Sequence, residues 1–387
     1  MALKSKEMGH SAIGITDHGT MAGVIQFIKA CRNESIKPVV GMEAYFCRHM
    51  TEKQKDGRKG NRHLNLFAKN LEGYRNLCRL SQAASLEGFY HDNRIDIEIL
   101  EKHKEGLIVS SACLKGIVNW NLKVGRYDYA KKAASMFKDI FNDDFYLEVM
   151  YHGIDDEAKI IPDIQKLSKE LNIKMFCSND SHYETKEEAK IHDIVLCLSQ
   201  RGKCRKNPKR IRFTGEEFYL KSTEEMFAVF RQMPQSMKNT LEVAEKCDLS
   251  ELQFGGMNLP KVDIPEEFDT PYAYLEHLAW EGLKKKGFAD NPEYVDRLKL
   301  ELSDIKLIYD TKKYHFDSYF LIVWDIINFI RKNNIPYGIR GSGNGSLLLY
   351  SLGVSKVNPL DISYQLSWER FLGFENINQI SQMDFNI

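Results

Sequence analysis

The architecture of this 387-residue chain is constrained most strongly by one stretch, Tyr337-Gly338-Ile339-Arg340-Gly341-Ser342-Gly343-Asn344-Gly345-Ser346. Its four glycines and two serines suit neither a regular strand nor a regular helix. The apolar run at 347–352 ends before Gly353, which is typical of a short buried helix. A glycine-rich turn that leads into a helix can direct backbone N–H groups, together with the Arg340 guanidinium, at a phosphate. The alternative is a flexible surface loop, because short glycine patterns recur in unrelated proteins.

Three further motifs follow the loop in order, namely Val357-Asn358-Pro359-Leu360, Trp368-Glu369-Arg370-Phe371-Leu372 and Met383-Asp384-Phe385-Asn386. Together with the loop they resemble the alpha subunit family of bacterial DNA polymerase III. The resemblance implies the first part of an α+β nucleotidyltransferase-type palm that binds Mg²⁺ through its aspartates, here Asp384. It implies that an incoming triphosphate is held by Arg340, Gly341, Ser342, Gly345, Ser346 and Arg370.

The candidate catalytic pair at the end of the chain is Asp384 and Asn386. Nucleotidyl transfer uses two divalent cations about 3.5–4 Å apart. Carboxylates at alternate positions of a strand suit such a pair of ions, because alternate side chains point to the same face. The Asn386 amide can ligate Mg²⁺ but adds no negative charge. We therefore expect the chain to be inactive as a polymerase on its own.

The first 250 residues alternate short apolar runs with amphipathic segments. The runs predict strands at 12–16, 38–46, 64–68, 107–111, 145–150 and 174–178. Amphipathic segments between strands favour parallel strands with crossover helices, arranged either in a barrel or in a doubly wound sheet.

Polar side chains that can bind metal occur next to most of these predicted strands. In an α/β fold the carboxyl ends of parallel strands meet on one face, where sites are built. Asp, Glu, His and Cys are the ligands of divalent transition metals. A single such residue is more often a helix cap or a packed histidine, but seven of them favour a metal cluster. The seven are Asp17, His18, Glu43, His63, Cys113, Asp180 and His182.

Four stretches of this half resemble the polymerase and histidinol phosphatase (PHP) domain. They are Ile13-Gly14-Ile15-Thr16-Asp17-His18-Gly19, Lys37-Pro38-Val39-Val40-Gly41-Met42-Glu43, Ser110-Ser111-Ala112-Cys113 and Asn179-Asp180-Ser181-His182-Tyr183. The resemblance implies a distorted β/α barrel and a Zn²⁺ or Mn²⁺ site formed by the seven residues above. The family opens with a strand bearing His-x-His, which precedes the first residue here. We therefore expect a sequence that is incomplete at both ends, and a weakly occupied metal site.

The overall composition limits which binding partners and which cellular compartment the sequence suggests. The 54 basic and 54 acidic residues balance, so any contact with nucleic acid must come from local patches. The eight cysteines show no disulfide-framework or CxxC spacing, which indicates reduced thiols and a cytoplasmic protein. Charged residues interrupt every apolar run well before it reaches membrane-spanning length, so we expect no membrane association.

A segment rich in glycine and proline, 248–271, indicates a domain boundary. It separates a PHP domain, 1–253, from a partial palm domain, 254–387. The resemblance implies DNA synthesis from dNTPs on a primer-template, with the remainder of the polymerase chain and replisome subunits as partners. Two alternatives remain open: a free-standing PHP metal-dependent phosphoesterase or 3′–5′ exonuclease, and the non-catalytic half of a split polymerase.

Overall fold

A computed structural model describes residues 1–53, 60–200, 207, 209–254 and 260–372. The chain divides into two compact units, Met1–Gln253 and Phe254–Ile387. Across the described residues, no helix has both the length and the apolar character needed to span a bilayer.

The first unit is built on a sheet of seven strands that curls into a half-barrel. The hydrogen-bonded order is β1-β2-β3-β5-β6-β7, and β4 pairs with β2. The predicted α/β class is confirmed, and the curled sheet is consistent with a distorted barrel. The strands are β1 (Ala12–Ile15), β2 (Lys37–Phe46), β3 (Arg62–Ala68), β4 (Arg94–Ile95), β5 (Leu107–Ser110), β6 (Phe145–Met150) and β7 (Met175–Ser178).

Several helices pack against the sheet through one apolar face. In α7, for example, Ile160, Ile164 and Leu167 recur at helical spacing and are buried, as their periodicity predicts. The helices of this unit are α1 (Ala2–Glu7), α2 (Val24–Asn33), α3 (Leu71–Leu86), α4 (Ile97–Lys102), α5 (Ile117–Lys123), α6 (Tyr127–Phe141), α7 (Asp155–Leu171), α8 (Ala189–Ser199), α9 (Thr223–Val229) and α10 (Pro234–Lys246).

The direction of β3 corrects the expectation of parallel strands. β1 is parallel to β2, and β5, β6 and β7 are parallel to one another, but β3 is antiparallel to both β2 and β5. Adjacent parallel strands need a crossover connection, usually a helix, whereas antiparallel strands do not. The described part of the β2–β3 connection contains no α-helix. As a result, the start of β3 lies beside the carboxyl end of β2.

The second unit is helical over its described residues, 260–372. Thr270 caps α11 by accepting a hydrogen bond from the Ala273 amide, and Pro271 occupies the first turn, as predicted. The glycine loop forms a short 3₁₀ turn (Ser342–Gly345) that leads directly into α14. The strand expected around Asp384 lies outside the described residues. The helices are α11 (Pro271–Lys285), α12 (Pro292–Lys312), α13 (Phe316–Lys332), α14 (Leu347–Ser351) and α15 (Glu369–Leu372).

The core of the second unit forms where α11, α12, α13 and α14 pack together. α11 contributes Leu275, Ala279 and Leu283, and the three consecutive leucines of α14 are all buried. Trp368, just before α15, is fully buried in the same cluster. The core therefore reaches both the glycine loop and the segment that carries Arg370.

Candidate functional site

The reversed direction of β3 brings one predicted ligand to the site. His63 is the second residue of β3 and is paired with Tyr45 near the carboxyl end of β2. The turn after β5 also docks here, because the His63 amide donates to the carbonyl of Lys115 at 3.1 Å. His18 forms an isolated parallel bridge with Glu43. Residues distant in sequence are thus held together by backbone pairing.

Glu43 is the centre of the resulting cluster. Its Oε1 lies 2.9 Å from Nδ1 of His63, and its Oε2 lies 2.5 Å from Nδ1 of His18. The Cys113 thiol is 3.4 Å from His63 Nδ1 and 3.6 Å from Glu43 Oε1. One ligand atom from each of Glu43, His63 and Cys113 falls within 4.8 Å of the other two, which is a spacing that one metal ion can bridge.

Of the other three predicted ligands, Asp180 and His182 lie near this cluster and the Asp17 carboxylate does not. His182 Nε2 is 3.4 Å from Asp180 Oδ1, and the His182 and His18 ring centres are 6.5 Å apart. Asp17 Oδ2 lies 2.7 Å from the position that a Cβ atom on Gly23 would occupy, so this carboxylate faces the start of α2. The structure therefore brings four candidates into contact, places the Asp180–His182 pair nearby and directs Asp17 elsewhere.

These groups open onto a cleft of about 1100 Å³. The cleft is lined by Asp17, His18, Glu43, Asp180 and His182. Glu43 contributes little exposed surface to it, and His63 beside Glu43 is almost fully buried. A small ligand that enters the cleft meets the exposed imidazole of His18 and the half-buried Asp180 and His182. The cluster thus has a buried side and a side accessible from the cleft.

The electrostatics of the cluster follow from its burial. Burial raises the pKa of Glu43, but hydrogen bonds with His18 and His63 outweigh burial and lower that pKa to about 2. The contact with Glu43 raises the pKa of His18 despite burial. Burial, together with Glu43 and Asp180, raises the pKa of the Cys113 thiol well above its ordinary range. Glu43 is therefore a carboxylate at neutral pH, while Cys113 keeps its proton unless a cation displaces it.

The donor set fits a divalent transition metal. It offers a carboxylate, an imidazole and a sulfur atom at short mutual distance, with the imidazoles of His18 and His182 and the Asp180 carboxylate around them. Imidazole nitrogen and thiolate sulfur select Zn²⁺ and related ions over Mg²⁺ and Ca²⁺.

Sequence reasoning missed Glu148 of β6, which lines the same cleft. Glu148 Oε2 accepts hydrogen bonds from Asn65 Nδ2 at 2.8 Å and Ser110 Oγ at 2.5 Å, and Oε1 accepts one from Ser178 Oγ at 2.5 Å. These partners come from β3, β5 and β7, so the carboxylate joins four strands. The available signal was a single acidic residue inside the apolar strand Phe145–Met150.

The glycine loop differs from its expected role in one respect. Arg340, Gly341 and Ser342 are exposed, as a binding loop requires, but Gly345 and Ser346 are buried. The first N–H groups of α14 are already bonded to the carboxylate of Glu301, which is fully buried. The prediction that this helix end is free to bind phosphate is therefore wrong, because an internal carboxylate occupies it.

The remaining predicted residues divide into two groups. Arg370 is exposed on α15, two residues after the buried Trp368. Asp384 and Asn386 lie outside the described residues. Their assignment as the catalytic pair stays a prediction.

Family models match a stretch in each of the two units. Residues 1–152 match the model of the PHP domain, and residues 273–387 match that of the bacterial DNA polymerase III alpha NTPase domain.

Several curated relatives are similar along almost the whole chain. The DNA polymerase III subunit alpha of Borreliella burgdorferi is 42% identical over 387 residues, which cover 99% of this chain and 33% of the relative. The corresponding subunits of Campylobacter jejuni and Treponema pallidum are 40% and 38% identical, over 98% and 99% of this chain and 33% and 32% of the relatives. The chain spans about a third of the length of these relatives, and along almost its whole length it is similar to DNA polymerase III alpha subunits.

Proposed function

We propose that this chain provides two ligand-binding parts of a replicative DNA polymerase: a PHP metal domain at 1–253 and a partial palm domain at 254–387. In this proposal the palm part helps to hold the incoming dNTP during two-metal nucleotidyl transfer on a primer-template. The remainder of the polymerase chain and other replisome subunits complete the machinery. The observation that carries the proposal is the exposed first part of the glycine loop, 340–342, which leads into a buried helix and is followed by Arg370, within a segment that matches the polymerase family.

The chain's own residues would bind the triphosphate mainly through charge. Arg340 and Arg370 are exposed guanidiniums on two segments supported by the same core. A guanidinium forms strong, often bidentate, hydrogen bonds to phosphate oxygens and stays charged at every physiological pH. Gly341 has a φ of +88°, which glycine adopts without strain, so the backbone can approach a ligand here. Asp384, with Asn386, would hold Mg²⁺, which neutralises phosphate charge when bound.

Nucleotide titration tests this assignment. Arg340→Ala and Arg370→Ala should each weaken Mg-dATP binding by about 1.5–3 kcal/mol, which is the range for hydrogen bonds to charged groups. Lys332→Ala is the matched control, because Lys332 is an exposed cation at the end of α13, outside the loop. All four dNTPs should bind alike, since the proposed contacts are to phosphate. Equal affinities for the wild type and both arginine variants would refute the assignment.

A second candidate function is metal-dependent phosphoester hydrolysis in the first unit. The favouring observation is the cluster of Glu43, His63 and Cys113, of which Glu43 lines an open cleft. Glu43, His63 and Cys113 would hold the buried side of a Zn²⁺ or Mn²⁺ site, and His18, Asp180 and His182 its cleft side. Such an ion, when bound, polarises a phosphoryl oxygen and lowers the pKa of bound water.

Elemental analysis of purified protein tests the metal site. The wild type should retain Zn²⁺ or Mn²⁺, and Glu43→Gln and the double variant Asp180→Ala, His182→Ala should retain less. Glu101→Gln, an exposed carboxylate in the same unit, is the matched control. Identical metal content in all four proteins would mean that these residues are structural, and the hydrolase candidate would be dropped.

A further inference from the structure

Helix α12 presents three polar side chains to the rest of the second unit at a spacing of four and then three residues: Arg297, Glu301 and Asp304. This spacing places them on one face of the helix. Arg297 Nε donates to Glu301 Oε1 at 2.8 Å, so two of the three form an ion pair within the helix. A largely buried ion pair is costly to desolvate, and apolar residues often stabilise a core better. Core packing alone therefore does not explain why this ion pair is present at this position.

Glu301 holds the start of α14. Its carboxylate accepts hydrogen bonds from the Leu347 amide at 2.8 Å, the Leu348 amide at 2.9 Å and the Ser346 hydroxyl at 2.9 Å. The Ser346 Oγ in turn accepts from the Leu349 amide at 3.1 Å. All three amides of the first turn of α14 therefore have a partner inside the protein. The end of the glycine loop is fixed by α12 rather than by a ligand.

The other two side chains hold the segment before Arg370. Arg297 Nη2 donates both to the Gly345 carbonyl at 2.8 Å and to the Leu366 carbonyl at 3.3 Å, which joins the loop to this segment. The indole N–H of Trp368 donates to Asp304 Oδ2 at 2.7 Å. The two segments also touch directly, because a Cβ on Gly345 would lie 2.5 Å from the Ser367 carbonyl oxygen. Arg297 and Asp304 thus anchor the second segment on the helix that anchors the first.

We propose that α12 is the positioning element of the nucleotide site, acting through Arg297, Glu301 and Asp304. The inference rests on the proposed function of Arg340 and Arg370. Arg340 lies five residues before the anchored Gly345, and Arg370 lies two residues after the anchored Trp368. A common support presents both guanidiniums to the polyphosphate of one Mg²⁺-bound nucleoside triphosphate. Binding then avoids the entropy cost of ordering two separate segments.

The experiment combines nucleotide affinity with hydrogen exchange in the 387-residue chain. The probe is Mg-dATP, and the variants are Glu301→Gln and Asp304→Asn, with Asp310→Asn on the exposed face of α12 as the control. Glu301→Gln should expose the amides of Leu347 and Leu348 to exchange and weaken Mg-dATP binding about tenfold. Tenfold is the lower end of the loss in affinity seen when residues that hold metal ligands in place are substituted. Asp304→Asn should weaken binding in the same direction and shift the emission of Trp368.

A double-variant cycle separates positioning from plain structural support. If Glu301 acts through Arg340, the variant combining Glu301→Gln with Arg340→Ala should bind no more weakly than Arg340→Ala alone. Additive losses, or unchanged affinity when exchange protection is lost, would overturn the proposal. Absence of Mg-dATP binding in the wild type would instead refute the proposed nucleotide function, and the positioning role with it. If Glu301→Gln does not fold, Asp304→Asn combined with Arg370→Ala supplies the equivalent comparison for the second segment.

Discussion

The carboxylate of Glu148 is buried inside the half-barrel, where three side-chain donors surround it. Burial raises the pKa of Glu148, although its hydrogen bonds with Ser110, Ser178 and Asn65 oppose the effect. The folded protein therefore binds this proton more tightly than the unfolded chain. By linkage, the contribution of Glu148 to stability is greatest at low pH. It decreases as pH rises from the ordinary carboxyl range through the raised pKa.

We predict that Glu148→Gln removes this pH dependence from the first unit. The amide keeps an acceptor for one donor and has no charge to desolvate, so the variant should gain stability relative to the wild type as pH rises. The measurement is the free energy of unfolding in urea at a series of pH values above the carboxyl range. Glu101→Gln, an exposed residue, should leave the pH profile unchanged. Parallel profiles for wild type and Glu148→Gln would contradict the prediction.

The metal affinity of the cluster should change with pH in the opposite direction to the stability contribution of Glu148. A metal competes with protons for His18, and the contact with Glu43 raises the His18 pKa above its ordinary value. We therefore predict that metal affinity falls as pH decreases, and that the fall begins above the ordinary histidine pKa. Metal titration with a chromophoric competitor over this range measures it. His18→Gln should shift the midpoint of the fall to lower pH, and an unshifted midpoint would count against a role for His18.

Site residues could be predicted from the sequence where they flank an apolar run that forms a strand. Glu43, His63 and Cys113 were found because metal-binding side chains flank apolar runs, and the structure brings them together. Glu301 was not predictable as a cap for α14. It lies 45 residues before Ser346, and nothing in a local pattern distinguishes it from the other acidic residues of an amphipathic helix.

At the scale of elements, the glycine loop offers a matched pair of substitutions. A Cβ on Gly345 would lie 2.5 Å from the Ser367 carbonyl oxygen, whereas a Cβ on Gly338 would have no neighbour within 4 Å. We predict that Gly345→Ala destabilises the second unit by about 1–3 kcal/mol, the usual cost of overpacking. Gly338→Ala should be neutral, or stabilising by up to about 1 kcal/mol through the unfolded state. Urea unfolding compares them, and equal stabilities would show that the two segments can separate without cost.

Six strands could be predicted from sequence to within about two residues, because apolar runs bounded by polar turns are a strong local signal. The two-residue strand β4 (Arg94–Ile95) was missed, because it is too short for a periodic pattern. The direction of β3 was also missed, since direction depends on the path of the connection and not on the strand itself. That direction is what brings His63 to Glu43.

At the scale of the whole molecule, each unit carries one candidate site, and the two sites call for different ions. The first unit offers nitrogen and sulfur donors, which suit Zn²⁺, beside a carboxylate, which suits Mn²⁺, and the second has the predicted Mg²⁺ carboxylate Asp384. The family could be predicted from motifs in combination, since loop, Arg370 stretch and Asp384 occur in a fixed order. The chain matches relatives of which it spans about a third, so their activity as whole proteins is not transferred directly.

The final prediction concerns polymerisation by this chain alone. Two-metal transfer depends on carboxylates to hold both cations, and the sequence pairs Asp384 with Asn386, whose amide adds no charge. We predict no extension of a primed template with Mg²⁺ or Mn²⁺ and all four dNTPs, even where Mg-dATP binding is measurable. The Borreliella burgdorferi DNA polymerase III subunit alpha is the positive control, since it shares 42% identity over the same region. Template-dependent extension that disappears in both Arg340→Ala and Arg370→Ala would show that Asp384 with Asn386 suffices. Extension that persists in both variants would indicate a contaminating polymerase, because the proposed triphosphate contacts are then not used.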